Sequence, residues 1–422
     1  MIKIKNLGRK EFIKGSLILI ILMNIANFIH YLFQFFTARI LIPADYGILA
    51  VLMAIVYILA IPTEGIQNIV SKYTSKFNIK REYGKMKYFL IKSLKKAFLI
   101  SFVLFLIYIP ISFLISYFVN IDVKLIIFTG FLILGVFLTA IVRGIIQGRK
   151  KFKLLGASLI IEAGLKFLIA LILVILGLKV YGAMTAVIFS VFFSLLISLF
   201  FIKEVNSSKE EKTPVKNIYC NSFPILITAL TVTLMASLDI IFAKGFFSPD
   251  MAGKYAVASM LGKMIFFGTL GISKAMFPLT SENFEMRNKT EKLFKDAFFI
   301  VLGICILGLL VFLFFPKLII LIFFGSKYLE ISGILFFIGI ALSLLSLSNV
   351  CLIYAISINK KGISYFFFFV LLEVVIFSLF HKNLIEFSIG FVIANFIMFV
   401  FSLIFIIRGL RKNESFNNNS SS

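Results

Sequence analysis

The sequence has few of the residues on which most enzyme chemistry depends. Its 422 residues include three cysteines, two histidines and no tryptophan, and only 15% of the chain is charged. Cys220, Cys305 and Cys351 have neither disulfide nor metal-ligand spacing. Two histidines, His30 and His381, are too few for a histidine-based zinc centre. The motifs of zinc peptidases, serine hydrolases, P-loop proteins and dinucleotide-binding folds are also missing. We therefore expect neither an enzyme nor a cofactor or metal.

Acidic residues are scarce relative to basic ones. Asp and Glu total 19 against 43 Lys and Arg, which gives a net charge of +24. The basic residues recur in short patches between apolar runs instead of clustering on one domain, so no nucleic-acid partner is expected. The chain is 61% hydrophobic, well above the roughly 45–50% of soluble domains. Several runs reach the ~20 residues that a membrane-spanning helix needs. A β-barrel would instead show alternating ten-residue segments. The composition predicts an all-α polytopic membrane protein.

Twelve membrane spans are predicted from the apolar runs. They cover residues 12–36, 45–66, 97–118, 123–146, 154–177, 181–202, 219–244, 252–276, 296–315, 331–357, 363–380 and 386–407. Lys and Arg are about four times as frequent in one alternating set of loops as in the other. By the positive-inside rule, this bias predicts a multi-pass protein of the cytoplasmic membrane with both termini in the cytoplasm. The outer loops are too short for an extracellular domain.

One stretch of the chain occurs twice. Residues 43–75 (PADYGILAVLMAIVYILAIPTEGIQNIVSKYTS) align without a gap with residues 249–281 (PDMAGKYAVASMLGKMIFFGTLGISKAMFPLTS), at an offset of 206 residues. An offset near half the chain length indicates two copies of one unit. Because each copy would hold six spans, the copies are predicted to be parallel repeats. The predicted divisions are an N-terminal lobe (1–202), a flexible cytoplasmic linker (203–217), a C-terminal lobe (218–410) and a disordered tail (411–422).

Polar side chains within the spans are candidates for a transport site. A charge at the centre of a membrane costs roughly 2.5–3.5 kcal/mol on insertion scales, so it normally faces a cavity or a partner. The first span places four polar residues within an arc of about 120°, namely Asn24, Asn27, His30 and Gln34. A single amide would indicate contact between helices. Four aligned polar groups including a histidine favour a water-filled cavity.

Charged residues within or at the ends of spans add further candidates. Glu162 and Lys166 are four residues apart on one helix, so they can neutralise each other. Lys263 lies near the middle of the eighth span, too deep to reach the headgroups easily, and is the charge that we most readily assign to function. Structural ion pairs or contacts with headgroups would account for some of the others, which are Arg39, Arg143, Asp239, Lys244 and Glu373.

The region around the first two spans resembles the polysaccharide biosynthesis proteins. These are Wzx-type flippases for lipid-linked oligosaccharides, within the multidrug/oligosaccharidyl-lipid/polysaccharide (MOP) exporter superfamily. The family pattern is a small residue and Arg, then L-x-P-x-x-Y-G, then a span closing on Gly. It is matched by Ala38-Arg39, Leu41, Pro43, Tyr46-Gly47 and Gly65. The resemblance implies a MATE-like fold, with two six-helix lobes in a V around a central cavity that opens alternately to each side.

The resemblance also implies a function. Such a protein moves a polyprenyl-(pyro)phosphate-linked oligosaccharide from the cytoplasmic to the outer leaflet, for cell-surface polysaccharide or glycan biosynthesis. A cationic cavity would suit the phosphates, and the candidate contacts for them are Arg39, Arg143, Lys166, Lys244 and Lys263. The polar residues of the first span, Asn24, Asn27, His30 and Gln34, would bind sugar hydroxyls. Candidates for ion coupling are Glu162, Asp239 and Glu373. Expected partners are the glycolipid, membrane lipids and other polysaccharide-assembly membrane proteins, with the chain itself a monomer.

Other functions stay open at this point. A sodium- or proton-driven multidrug exporter of the same superfamily would share the fold, but it would take cationic drugs and rely on carboxylates. The intramembrane charges here include at least as many cations as carboxylates. A membrane glycan polymerase or glycosyltransferase would carry a large outer loop or acidic motifs near a span end. Here Asp45, Asp122 and Asp250 lie singly in short loops.

Overall fold

A computed structural model describes residues 2–212, 223–286 and 290–419 of the chain. Over these ranges the protein is helical, with no β-strand. The chain divides into two compact units, Met1–Ser222 and Phe223–Ser422, here called the N-terminal unit and the C-terminal unit. In the described part, 10 helices are long and apolar enough to cross a membrane.

The N-terminal unit contains six long helices and one short one. They are α1 (Ile2–Ile40), α2 (Pro43–Ile79), α3 (Tyr83–Val119), α4 (Val123–Gly148), α5 (Phe152–Leu173), α6 (Lys179–Phe201) and α7 (Lys203–Asn206). A π-helical segment, Val174–Leu178, joins α5 to α6, and the chain kinks there at Gly177, whose φ is +88°. Glycine suits this left-handed conformation because it has no Cβ. The kink allows α6 to pack against α5.

The C-terminal unit has more broken helices. They are α8 (Phe223–Met235), α9 (Leu238–Phe246), α10 (Pro249–Glu285), α11 (Glu291–Phe314), α12 (Pro316–Phe323), α13 (Ser332–Ser357), α14 (Phe368–Leu379) and α15 (Leu384–Asn419). Two 3₁₀ segments, Ser326–Ile331 and Ile363–Phe367, precede α13 and α14. Packing of α13 against both α10 and α15 forms the centre of this unit.

The predicted spans correspond to the helices with three differences. The fifth and sixth spans share the continuous helical stretch 152–201. The seventh is divided into α8 and α9. The eleventh corresponds to a shorter apolar segment, Ile363–Leu379. The count of twelve spans, the parallel relation of the two lobes and the cytoplasmic termini therefore stay predictions.

The repeated stretch forms two helices of equal length. Both α2 and α10 contain 37 residues, and each has a proline in its first turn, Pro43 and Pro249. Proline is favoured at this position because a backbone N–H in the first turn has no partner within the helix, so proline loses no hydrogen bond there. Each repeated helix packs along another long helix of its own unit, α2 along α4 and α10 along α13.

The first part of the predicted linker packs on the N-terminal unit. The backbone N–H of Glu211 donates to the carbonyl of Gly84 at 3.2 Å, and α7 contacts α3. The carboxylate of Glu204 accepts hydrogen bonds from Arg149 and Lys151. These hydrogen bonds hold the pKa of the Glu204 carboxyl below its usual range, and the bond from Arg149 contributes most. Residues 203–212 of the predicted linker thus contact the N-terminal unit, while residues 213–217 lie outside the described ranges.

At the other end of the chain, α15 continues past residue 411, where the predicted disordered tail begins. It extends through Asn419, and residues 420–422 lie outside the described ranges. Adding a residue to an existing helix costs far less than nucleating a new one. The polar residues of the tail therefore extend a helix that the apolar span has already formed.

Two glycines allow α4 to approach α2 closely. A Cβ added at Gly144 would lie 2.8 Å from the carbonyl oxygen of Gln67, and one at Gly148 would lie 2.5 Å from that of Ser71. Small residues four apart permit this kind of helix contact within membranes. The contact matters for the site because α2 and α4 both line the cavity described below.

Replacing Gly148 with leucine should therefore destabilise the protein. The side chain would collide with the α2 backbone, and overpacking typically costs about 1–3 kcal/mol. We expect a clearly lower Tm for G148L in thermal unfolding of the purified protein in detergent. The matched control is Gly65→Ala, because a Cβ at Gly65 would meet no atom within 4 Å. Equal Tm values for G148L and the wild type would contradict the close packing of α2 on α4.

Candidate functional site

A polar cavity of about 190 Å³ lies within the N-terminal unit. It is lined by residues of α2, α4, α5 and α6, which pack on one another in this unit. Its polar lining residues are Thr63, Gln67, Thr139, Arg143 and Glu162. The cavity thus combines one cation, one carboxylate and several neutral hydrogen-bonding groups.

Arg143 of α4 is the centre of the hydrogen-bond network at this cavity. Its Nη2 lies 2.7 Å from Oε2 of Glu162 and 2.9 Å from Oγ of Ser194. Its Nε donates to Oγ of Ser158 at 3.0 Å. Ser158 and Glu162 are four residues apart, so they lie on the same side of α5. No hydrogen bond to a described residue uses Nη1, so the guanidinium keeps donors for a further acceptor.

The cavity is bordered by further polar contacts between helices. Nε2 of Gln67 donates to Oε1 of Gln147 at 2.8 Å, which joins α2 to α4. On the other side, the hydroxyls of Ser158 and Ser198 lie 2.8 Å apart and join α5 to α6. These contacts fix the four helices around Arg143.

The ion pair of Glu162 differs from the pair that the sequence suggests. Glu162 pairs with Arg143 of the neighbouring helix, although Lys166 is its i,i+4 neighbour. The ammonium of Lys166 instead lies 4.5 Å from the centre of the Phe33 ring of α1. Because α4 packs against α5, the guanidinium of Arg143 lies within the distance of a charge-assisted hydrogen bond from the Glu162 carboxylate.

Two of the four polar residues of the first span lie inside the N-terminal unit. Gln34 is buried, and its Oε1 accepts a hydrogen bond from the hydroxyl of Tyr46 at 3.4 Å. His30 lies close enough to Lys166 and Arg143 to interact with them electrostatically. Its Nδ1 is buried without a hydrogen-bond partner in the described part of the chain.

The other candidates of α1 lie on the surface of the unit. Asn24, Asn27 and Arg39 are exposed. The buried positions of α1 include Ala26 and Phe33, and their seven-residue spacing marks the face that packs along α5. Because Asn24 lies on the opposite side of α1 from this face and Asn27 lies well away from it, alignment on α1 does not bring all four polar residues together.

A second buried polar cluster lies within the C-terminal unit. Nζ of Lys263 is 3.3 Å from Oδ1 of Asp239, and both side chains are buried. The hydroxyls of Tyr255 and Ser259 donate to Oδ2 of Asp239. Tyr255, Ser259 and Lys263 recur every four residues, so one face of α10 surrounds the carboxylate on α9. The mid-span lysine singled out in the sequence thus has an ionic partner on another helix.

Glu373 of α14 belongs to the same region of the C-terminal unit. It is fully buried, and within the described ranges its carboxylate oxygens have no hydrogen-bond partner. It lies within electrostatic range of Asp239 and Lys263. Lys244, the remaining candidate, is also buried. Two carboxylates and Lys263 therefore share one buried region, which is costly unless the charges compensate one another.

Several residues of both clusters were not singled out from the sequence. They are Thr63, Gln67, Thr139, Ser158, Ser194, Tyr255 and Ser259. Four-residue spacing would have indicated Ser158 beside Glu162, and likewise Tyr255 and Ser259 beside Lys263. Gln67 and Ser194 carry no comparable signal, because their roles depend on which helices become neighbours. Among the described residues, no group of three or more His, Cys, Asp or Glu side chains could hold a metal ion.

Comparison with known proteins links the chain to one family. The profile of the family described as "Polysaccharide biosynthesis protein" matches residues 12–284. An uncharacterized membrane protein of Methanocaldococcus jannaschii is 27% identical over 352 residues, which cover 79% of this chain and 81% of that protein.

The fold is similar to that of solved transporters. An inward-facing multidrug resistance MATE family transporter of the MOP superfamily superimposes with a TM-score of 0.75 at 16% identity, over 93% of this chain and 99% of that one. A MOP superfamily transporter from Pyrococcus furiosus gives a TM-score of 0.63 at 17% identity, over 94% and 95% of the chains. It is described as having a binding pocket of reverse polarity that suggests a different function. At these identities the likeness concerns the fold alone.

Proposed function

We infer function from the premise that the chain belongs to the polysaccharide biosynthesis protein family. Its apolar helices and its fold, which is similar to that of MOP superfamily transporters, support the proposal that it is a multi-pass membrane transporter. We propose that its cargo is a polyprenyl-(pyro)phosphate-linked oligosaccharide, which it moves from the cytoplasmic to the outer leaflet by alternating access. Its monomeric state, its orientation in the cytoplasmic membrane and its association with other polysaccharide-assembly proteins belong to the same proposal.

The observation that carries this proposal is Arg143 in the polar cavity of the N-terminal unit. A phosphate or pyrophosphate loses its hydration when it enters a membrane protein and needs charged donors in return. A guanidinium supplies several such donors in a fixed plane, which matches phosphate geometry. Lys166 lies one turn after Glu162 on α5 and adds a second positive charge to this unit. The cations of this unit thus suit an anionic cargo.

The volume of the cavity limits which part of the cargo it can hold. At about 190 Å³, it is smaller than the roughly 300–1,000 Å³ of typical ligand pockets. It suits a phosphate group or part of one sugar, but not a whole oligosaccharide. The neutral groups Thr63, Gln67 and Thr139 line the same space, where they would accept or donate hydrogen bonds to sugar hydroxyls.

The Arg143–Glu162 pair suggests how binding and release alternate. A phosphate oxygen arriving at Arg143 would compete with the Glu162 carboxylate for the same guanidinium. Release of the anion would let the Glu162 carboxylate return to its ion pair with Arg143. We propose Glu162 as a candidate for ion coupling, with Asp239 and Glu373 as the corresponding candidates in the C-terminal unit.

A multidrug exporter is the second candidate function. The solved structures of similar fold favour it, because one of them is a multidrug resistance transporter. Arg143 argues against it, since the cation that lines the cavity would repel a cationic drug. Sixteen per cent identity to that transporter also leaves the cargo undetermined by the fold.

Ligand-induced stabilisation tests the choice between the two cargo classes. A ligand at 100 times its Kd stabilises the protein that binds it by about 2.7 kcal/mol. We expect a polyprenyl-pyrophosphate oligosaccharide to raise the Tm of the purified protein, and the same polyprenyl chain ending in an alcohol to leave it nearly unchanged. A rise with a cationic dye but none with the glycolipid would favour the exporter instead.

A further inference from the structure

A groove lined by aromatic rings lies on the C-terminal unit, with two cations at one end. Its volume is about 690 Å³. We call it the aromatic groove and define it by six lining residues, Lys360, Phe366, Phe369, Phe401, Phe405 and Arg408. It is formed by the turn after α13, the 3₁₀ segment 363–367, the start of α14 and the second half of α15. It is separate from the cluster around Asp239 and from the cavity around Arg143.

The sequence builds one side of the groove from a single face of α15. Phe401, Phe405 and Arg408 recur at spacings of four and three residues, so their side chains project in the same direction. On the opposite side, Gly362 has a φ of +94°, a conformation that glycine adopts without strain. This turn brings Lys360 onto α15, where its ammonium donates to the carbonyl of Phe405. The same ammonium lies 4.0 Å from the centre of the Phe405 ring.

The rings form a continuous apolar wall that leads away from Lys360. Ring centres are 5.4 Å apart between Phe405 and Phe366, 5.5 Å between Phe366 and Phe369, and 5.5 Å between Phe369 and Phe401. These distances are typical of packed aromatic pairs. Phe401 remains 55% exposed, so the wall is open for a ligand to lie against it.

The charges of the groove are all of one sign and lie at one end. None of the described residues that line it is acidic. The turn at Lys360 and the segment after residue 407 both lie on the predicted cytoplasmic side, where anionic headgroups attract basic residues. An ammonium has three donors and a guanidinium five, so both cations keep donors for an anion. A hydrocarbon chain carrying a phosphate complements this combination of an apolar wall and a cationic end.

We propose that the aromatic groove binds one anionic phospholipid of the cytoplasmic leaflet. Its phosphate lies between Lys360 and Arg408, and one hydrocarbon chain lies along the wall from Phe405 to Phe401. This proposal does not depend on the cargo of the transporter, because the groove is separate from the polar cavity. The phospholipid in the aromatic groove stays bound and is not transported.

The absence of tryptophan in the wild-type chain allows a direct test by fluorescence. Phe401→Trp places one reporter in the groove, and Phe113→Trp places one on α3, where Phe113 is 57% exposed. Each variant is reconstituted in phosphatidylcholine nanodiscs that contain increasing fractions of brominated phosphatidylglycerol or brominated phosphatidylcholine, whose bromines quench tryptophan. Each cation should increase the binding of an anionic lipid about fivefold. Brominated phosphatidylglycerol should therefore quench F401W at a mole fraction roughly 10-fold to 30-fold lower than brominated phosphatidylcholine does. The two lipids should quench F113W equally.

Substitutions of the cations complete the test. Lys360→Gln with Arg408→Gln, in the F401W background, should remove the preference for phosphatidylglycerol, while glutamine can still donate to the carbonyl of Phe405. Lys361→Gln is the matched control, since Lys361 is the exposed neighbour and does not line the groove. Equal quenching of F401W by both lipids, or a preference that survives the double substitution, would overturn the proposal. Displacement of the brominated phospholipid by polyprenyl phosphate at much lower concentration than by unlabelled phosphatidylglycerol would also overturn it, by identifying the carrier lipid as the occupant.

Discussion

Arg143→Ala should reduce the exchange of a lipid-linked oligosaccharide between leaflets by roughly 10-fold to 100-fold. A hydrogen bond to a charged group contributes about 1.5–3 kcal/mol, and this estimate assumes that the bound phosphate relies on one such contact from Arg143. Arg143→Lys should retain part of the activity, because an ammonium keeps the charge but not the planar set of donors. The measurement is the rate of leaflet exchange in liposomes at equal amounts of inserted protein.

The main control for this prediction separates lost binding from lost stability. Arg143→Ala alone leaves Glu162 without its ionic partner, and removing one member of a buried pair costs about 3–5 kcal/mol. The pair is partly exposed, with side-chain exposures of 11% and 19%, so we expect a smaller cost. Arg143→Ala combined with Glu162→Gln removes the unpaired charge. We expect this double variant to regain most of the wild-type Tm and still to exchange slowly. Recovery of both properties together would show that Arg143 only stabilises the protein.

The second large effect is expected at the buried pair of the C-terminal unit. Lys263→Met should destabilise the protein by roughly 3–5 kcal/mol, because Asp239 would remain buried without its cationic partner. Adding Asp239→Asn should restore most of the Tm, since a neutral amide can keep hydrogen bonds with Tyr255 and Ser259. The matched control is Lys254→Met, because the ionic partners of Lys254, Asp250 and Glu330, are exposed. It should change stability by less than about 1 kcal/mol.

The same variants test the proposed contact of Lys263 with the cargo. If Lys263 binds the phosphates of the cargo in addition to pairing with Asp239, the stable double variant should still lose leaflet exchange. Wild-type exchange by a stable double variant would limit Lys263 to its structural pairing with Asp239. Thermal unfolding and exchange measured on one preparation give both answers.

The elements that were predicted best depend on local patterns. The repeated stretch predicted two copies of one unit, and its two copies form α2 and α10, which have the same length because both carry the same proline signal and similar apolar composition. The predicted polytopic membrane class and the family resemblance agree with the structure and with the family match, because they depend on long apolar runs and on a local motif around Pro43. Composition and local sequence patterns were enough for these features.

The candidate site was less accessible from the sequence because it depends on which helices become neighbours. The i,i+4 rule placed Glu162 beside Lys166, but it could not show that α4 would bring Arg143 to the same carboxylate. Helical spacing placed the polar residues from Asn24 to Gln34 on one side of α1, but only part of that side is buried where α1 packs along α5. Likewise, no local pattern could identify Asp239 as the partner of Lys263, because the two residues lie on different helices.

Leaflet exchange by the wild-type protein tests the central claim most directly. The purified chain is reconstituted in liposomes with a fluorescent polyprenyl-pyrophosphate oligosaccharide in one leaflet, with and without a sodium or proton gradient. We predict protein-dependent exchange of this glycolipid that is roughly 10-fold to 100-fold slower in the stable variant carrying Arg143→Ala and Glu162→Gln. Gradient-driven uptake of a cationic dye, without any exchange of the glycolipid, would contradict it and assign the protein to multidrug export.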